Sequence, residues 1–190
     1  MVERCMKMIN NRVAINEKSV VLIGFMGVGK TSIGQLVAQK LGRKFIDIDE
    51  EIENEYQMPV TDIFKKIGEE NFREKEKNMI KSYAKQKGKV LSLGGGAFMQ
   101  EEIRDACLAN CTVIHLDISW KYWKERLSLL VDSRPVLQGK TIEEIETLFL
   151  ERQNFYKGHS KIVTDGLTEE EIAEQIIRGL ESKENCGSIF

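Results

Sequence analysis

One stretch constrains this chain more than any other: Gly24-Phe25-Met26-Gly27-Val28-Gly29-Lys30-Thr31. It matches G-x-x-x-x-G-K-[ST], follows the apolar run Val20-Val21-Leu22-Ile23, and precedes Ile33, Leu36, Val37 and Leu41 at helical spacing. A strand, a glycine-rich turn and a helix are expected in that order. The glycines let consecutive N–H groups turn inward toward phosphate oxygens, and the helix adds its positive N-terminal end. Gly27, Val28, Gly29, Lys30, Thr31 and Ser32 therefore form a candidate nucleotide site, with a purely structural turn as the alternative. In the functional reading Lys30 bridges the β and γ phosphates as a point charge, and the Thr31 hydroxyl takes one position on Mg²⁺.

The rest of the chain alternates in the same way. Apolar strand candidates recur at Phe45-Ile46, Val90 to Leu93, Thr112 to Leu116 and Lys161 to Val163. Helical spacing returns between them, as at Ile172, Ala173, Ile176, Ile177 and Leu180. Capping boxes mark two helix starts, Thr141 with Glu144 and Thr168 with Glu171. Near-continuous apolar strands separated by helices predict an α/β fold, a parallel sheet covered on both faces. The long connection from Asp49 to Lys89 is charged and helical in period (Ile63, Ile67, Met79, Ile80, Tyr83), so a helical insertion is expected there. Val131 to Lys140 breaks that period and reads as a mobile flap.

Composition narrows the function classes. Twenty-eight Lys and Arg against 30 Asp and Glu leave a net charge of -2, too little positive charge for non-specific nucleic-acid binding. The apolar runs are strand-sized, so no membrane span is expected. Residues 1–18 lack a signal-like apolar block, and Cys5, Cys107, Cys111 and Cys186 form no C-x-x-C pair. Reduced thiols in a cytoplasmic protein follow. With 190 residues and no repeat or linker, the expected layout is an N-terminal extension over 1–18, one domain over 19–182 and a tail over 183–190.

A phosphate loop alone does not define a reaction. A guanine-selecting N-K-x-D element is absent from the chain, which weighs against a GTPase. Asp47 and Asp49 close the second strand candidate and face the ligand crevice together only if strand alternation persists to Asp49. One carboxylate then organises Mg²⁺ and the other accepts a hydrogen bond or proton from an attacking alcohol. The alternative is a solvated acidic helix start, since Glu50, Glu51 and Glu53 follow. Arg73 stands three residues before Glu76, so a carboxylate can hold the guanidinium ready for an acidic substrate, unless the two form an ordinary surface ion pair. Gly94-Gly95-Gly96 follows the third strand, where flexibility serves best if a ligand or backbone must come close. Arg134 in the flap and Arg152 on the next helix add two cations. Asp117 is a rival Mg²⁺ ligand at the end of an apolar strand, whereas His115 within that strand reads as a packed core imidazole.

Taken together, GFMGVGKTSIG, FIDIDEEIE, IFKKIGEENFREKE, LSLGGGAF, SRPVL, ERQNFY and IVTD, in this order, resemble the shikimate kinases over about Ser19 to Leu180. These are small P-loop kinases of the nucleoside-monophosphate-kinase fold. The resemblance implies a three-layer α/β/α architecture with a five-stranded parallel sheet of order 2-3-1-4-5, a substrate-binding helical region over 49–87 and a lid over 127–140. It implies transfer of a phosphoryl group from ATP to the 3-hydroxyl of shikimate, giving shikimate 3-phosphate on the route to chorismate and aromatic amino acids. It assigns metal support to Thr31 and Asp47, acceptor contact and candidate base to Asp49, and carboxylate binding to Arg73 and Arg152. Glu76 orients Arg73, and Gly94, Gly95 and Gly96 line the same pocket. Arg134 belongs to the lid and reaches the reacting phosphate, making it catalytic with Lys30 and Asp49. Arg126 is the nearest candidate to stack on adenine, and the segment at Thr164 and Asp165 resembles the family's adenine contact, with a plain strand end as the alternative. Leu127 to Val131 is more apolar than in many relatives. The usual state of the family is a monomer. Two rival functions are a kinase of another small polyol acid, such as gluconate, or of a nucleotide, and a nucleotide-dependent binding protein without catalysis.

Overall fold

The computed structural model describes residues 18–130 and 135–186. Arg134, residues 131–134 of the expected lid, and residues 1–17 and 187–190 of the expected extension and tail lie outside the described residues.

The first apolar run forms β1 (Val20–Ile23), every residue of which is buried. Its side chains alternate between two cores. Val20 and Leu22 join Ile33, Val37, Ile114 and Ile176 on one face, while Val21 and Ile23 join Ile46, Ile52, Leu91 and Ile103 on the other. Burial on both faces is why the run shows no polar alternation. The other strands are β2 (Lys44–Asp47), β3 (Lys89–Ser92), β4 (Thr112–Asp117) and β5 (Ser160–Val163), all parallel, in the order β2-β3-β1-β4-β5. This is the three-layer α/β/α fold that the sequence predicts.

Helix α1 (Lys30–Leu41) follows the glycine-rich loop and packs against the final helix, α8 (Glu169–Cys186). The opposite layer holds α2 (Ile48–Tyr56), α3 (Val60–Ala84) and α4 (Glu101–Asn110). Two short helices, α5 (Trp120–Lys124) and α6 (Leu127–Leu130, within the expected lid), follow β4, and α7 (Ile142–Tyr156) returns across the core. The Asp49–Lys89 connection is helical as expected, but α3 is broken at Gly68, which the periodicity did not disclose. α8 also continues to Cys186, beyond the expected boundary at 182.

Both capping boxes form. At the start of α7 the Thr141 hydroxyl accepts the Glu144 N–H at 3.2 Å, and the Glu144 carboxylate accepts the Thr141 N–H at 2.7 Å. Thr141→Ala is expected to cost about 1 kcal/mol and to lower Tm by about 2–4 °C, read by thermal denaturation. An unchanged Tm would mean that the cap contributes nothing.

A parallel sheet binds ligands beyond the carboxyl ends of its strands, where the chain reverses its order of addition. Here β1 sits between β3 and β4, so the loops after β1, β2 and β3 converge at one end. Those loops carry the phosphate loop, the Asp47–Asp49 pair and the three glycines.

Candidate active site

Lys30 opens α1 and is buried, its Nζ donating to the carbonyls of Gly24 (2.9 Å) and Phe25 (3.0 Å). The loop therefore holds its own lysine in place. Other elements hold the loop: Trp123 Nε1 donates to the Met26 carbonyl at 2.7 Å and the Arg126 guanidinium donates to the Gly27 carbonyl at 3.0 Å. Ser32 Oγ donates to the Gly29 carbonyl at 3.3 Å and to the Glu169 carboxylate. Val28 turns its side chain into the core.

The two aspartates part ways. β2 ends at Asp47 and α2 starts at Ile48, so strand alternation does not reach Asp49 and the shared-face arrangement does not form. Asp47 is the N-cap of α2, its Oδ1 accepting the Asp49 N–H at 3.1 Å, while its Oδ2 accepts the Thr31 hydroxyl at 2.8 Å. The acidic helix start is thus present, and both aspartates still line one cavity. Asp49, two residues further on, points toward Gly94 instead.

Arg73 and Glu76 pair at 2.9 Å, and Arg73 also lies 3.4 Å from Glu69. This is no ordinary surface pair, because the Glu76 side chain is only 1% exposed. Its Oε2 also accepts from Gln100 at 3.1 Å, while its Oε1 is buried without a hydrogen-bond partner. Burial raises the Glu76 pKa above the usual carboxylate range against the opposing pull of Arg73, with nearby Asp49 adding to the rise. Arg152, on α7, is half-buried, with its Nε buried and unpartnered and its guanidinium carbon 5.7 Å from the Phe25 ring centroid. Burial lowers its pKa, and the neighbouring Arg73 charge adds to that.

The three glycines hold these groups together by having no side chains. A Cβ on Gly94 would stand 3.0 Å from both Asp49 Oδ1 and Glu76 Oε1. One on Gly95 would meet the Met26 backbone N at 3.2 Å and Arg152 at 3.6 Å, and one on Gly96 would meet Arg73 at 3.5 Å. Loop, carboxylates and both guanidinium groups thus meet along one strip of bare backbone.

Two cavities of about 830 and 820 Å³ adjoin there. The first is lined by Gly27, Gly29, Lys30, Thr31, Ser32 and Asp47. The second is lined by Arg73, Glu76, Gly96, Arg152, Val136 and Gln138, among others. Met26, Asp49, Gly94 and Gly95 belong to both, so Asp49 stands at their junction. One chamber can hold a triphosphate and the other a small anion bearing hydroxyls.

Comparison with known proteins fits this arrangement. Residues 26–181 match the family described as "Shikimate kinase". The chain belongs to the shikimate kinase family. It is 53% identical over 170 residues to a shikimate kinase of Bacillus subtilis, covering 88% of this chain and 91% of that protein. It is 42% identical over 170 residues to one from Thermodesulfovibrio yellowstonii, covering 88% and 98%. Among solved structures, the Acinetobacter baumannii shikimate kinase in complex with shikimate is similar with a TM-score of 0.83 at 30% identity, covering 90% of this chain and 97% of that one.

As a shikimate kinase the chain shows what its sequence alone concealed. Tyr156, one turn after Arg152, donates its hydroxyl to the Gly95 carbonyl at 2.6 Å. Its spacing from Arg152 is the one available signal. Trp123 and Gln100 gave none, since a core indole and a polar helix cap look alike whether or not they face a site. Arg126 lies at the phosphate loop and lines neither cavity; its hydrogen bond is to Gly27. Asp117 pairs with Lys161 at 2.9 Å, and its carbonyl accepts from Thr164, so neither residue lines these cavities. Asp165 accepts the Ser119 N–H at 2.8 Å. His115 is the buried core imidazole that its strand context predicts, and burial pushes its pKa down to about 4.

Proposed function

We infer that this protein transfers the γ-phosphoryl group of ATP to the 3-hydroxyl of shikimate, forming shikimate 3-phosphate on the route to chorismate and aromatic amino acids. The observation that carries this reading is the pair of guanidinium groups, Arg73 and Arg152, set along Gly95 and Gly96 in a chamber that opens through Asp49 into the phosphate-loop chamber. Two cations side by side repel each other, and a bound carboxylate relieves that cost.

In this reading Gly27, Val28, Gly29 and Ser32 hold the triphosphate, and Lys30 meets the developing charge on the transferred group. Arg73 and Arg152 clamp the shikimate carboxylate, and Glu76 fixes Arg73. Asp49 accepts the hydrogen bond of the attacking hydroxyl, orienting it or taking its proton. Arg126 supports the nucleotide side, and Arg134 is assigned to the closing lid from its sequence position. Excluding water matters because water is a competing acceptor.

Mg²⁺ suits the residues present. Thr31 Oγ1 and Asp47 Oδ2 place hard oxygen donors together beside the phosphate loop. Mg²⁺ takes few protein ligands and shares phosphate oxygens. When bound, Mg²⁺ neutralises phosphate charge. Among the described residues no helix is long and apolar enough to cross a membrane, and a monomeric cytoplasmic enzyme acting on small molecules, not nucleic acid, completes the reading.

The test is an assay of acceptor-dependent ADP release with ATP and Mg²⁺, run with shikimate and with gluconate. Turnover of shikimate far above gluconate is the expected result. An active preparation that ignores shikimate, or that binds ATP without turning over any acceptor, rejects the assignment.

A further inference from the structure

Residues 60–84 are helical except at Gly68, whose backbone sits at φ 80°, ψ 164°. That region is essentially closed to any residue with a Cβ of L configuration. The break changes which side chains can meet. In an uninterrupted helix Phe64 and Arg73, nine residues apart, would lie about half a turn apart around the axis and about 13 Å apart along it. Phe64 and Phe72 would be separated by about 12 Å along that axis. Instead their ring centroids are 4.4 Å apart, and the Arg73 guanidinium carbon lies 5.6 Å from the Phe64 ring and 5.5 Å from the Phe72 ring.

We propose that Gly68 is a positioning residue for the acceptor: its break folds the first half of α3 back so that Phe64 joins Phe72 against one side of Arg73 and helps aim it into the chamber. Ion pairing with Glu76 and Glu69 limits Arg73 from its own segment, and the Phe64 ring limits it from the other side of the break. A guanidinium held on all these sides loses less freedom when it grips an anion. No packing constraint demands glycine here, since a Cβ at 68 would meet no atom within 4 Å. The requirement lies in the backbone angles. Alanine favours continuous helix, so Gly68→Ala would straighten the segment and draw Phe64 away.

This inference rests on the shikimate kinase reading, and the two can fail separately. Turnover of shikimate by the unaltered protein tests the parent reading. For Gly68→Ala the expected result is a KM for shikimate raised by about tenfold to a hundredfold, with KM for ATP essentially unchanged. A semisynthetic protein carrying the D-enantiomer of alanine at 68, which accepts positive φ, should restore the original KM. An unchanged KM for shikimate, equal increases in both KM values, or no rescue by the D-enantiomer would overturn the proposal. Independently of any acceptor, a crystal structure of Gly68→Ala should show Phe64 and Phe72 apart, and persistence of their contact would overturn it too. Should that variant fail to fold, Phe64→Leu, which keeps apolar bulk without the ring face, should raise KM for shikimate selectively; no change would count against the idea.

Discussion

Lys30→Ala should lower kcat by about 10²–10³-fold, the loss typical when one preorganised group facing transition-state charge is removed. Phosphoryl transfer asks for alignment and charge neutralisation more than for a strong base, so the lysine of the phosphate loop should outweigh Asp49 in rate. The structure adds a reason. Lys30 is buried and anchored on the Gly24 and Phe25 carbonyls, so little reorganisation is needed when the reaction begins. KM for shikimate should stay nearly constant, because the second chamber is lined by other residues. Steady-state kinetics with both substrates varied checks this, and a kcat within tenfold of the unaltered protein would remove Lys30 from the central role.

Arg73→Ala is expected to act on binding. Truncating one partner of a buried charge pair costs about 2–4 kcal/mol, or roughly a 30- to 1,000-fold rise in KM for shikimate. Two effects combine: loss of the clamp on the carboxylate, and exposure of Glu76 to burial without its cation. Because Glu76 is already raised in pKa by desolvation, removing Arg73 should push it further toward the neutral acid. Arg73→Lys keeps the charge but loses the planar fork, so an intermediate loss is expected. Isothermal titration with shikimate measures both variants. Unchanged affinity in Arg73→Ala would overturn the carboxylate assignment.

Some of this architecture is local and therefore legible without coordinates. The phosphate loop, the continuous burial of Val20 to Ile23 and the boxes at Thr141 and Thr168 depend on residues within a few positions of one another. The Arg73–Glu76 pair is of the same kind, three residues apart on one helix. The aspartate pair was half legible. Sequence placed both at a strand end, but the chain turns into α2 directly after Asp47, whose carboxylate accepts the Asp49 N–H, and the helix begins two residues too soon for alternation to reach Asp49. The break at Gly68 was invisible because the apolar spacing on each side is helical in its own right.

The amino-acid sequence by itself determined which chemistry this protein carries: a phosphate loop, acid at a strand end, and arginines on helices, each written in short-range spacing that local backbone geometry enforces. Only the tertiary structure decided that these groups face one another. Sheet order brings the ends of β1, β2 and β3 to one end of the sheet, and the absence of side chains at Gly94, Gly95 and Gly96 lets Asp49, Glu76, Arg152 and Arg73 close in on the same backbone. Such convergence joins residues more than a hundred positions apart, and it is fixed by packing across the core, which no local pattern encodes.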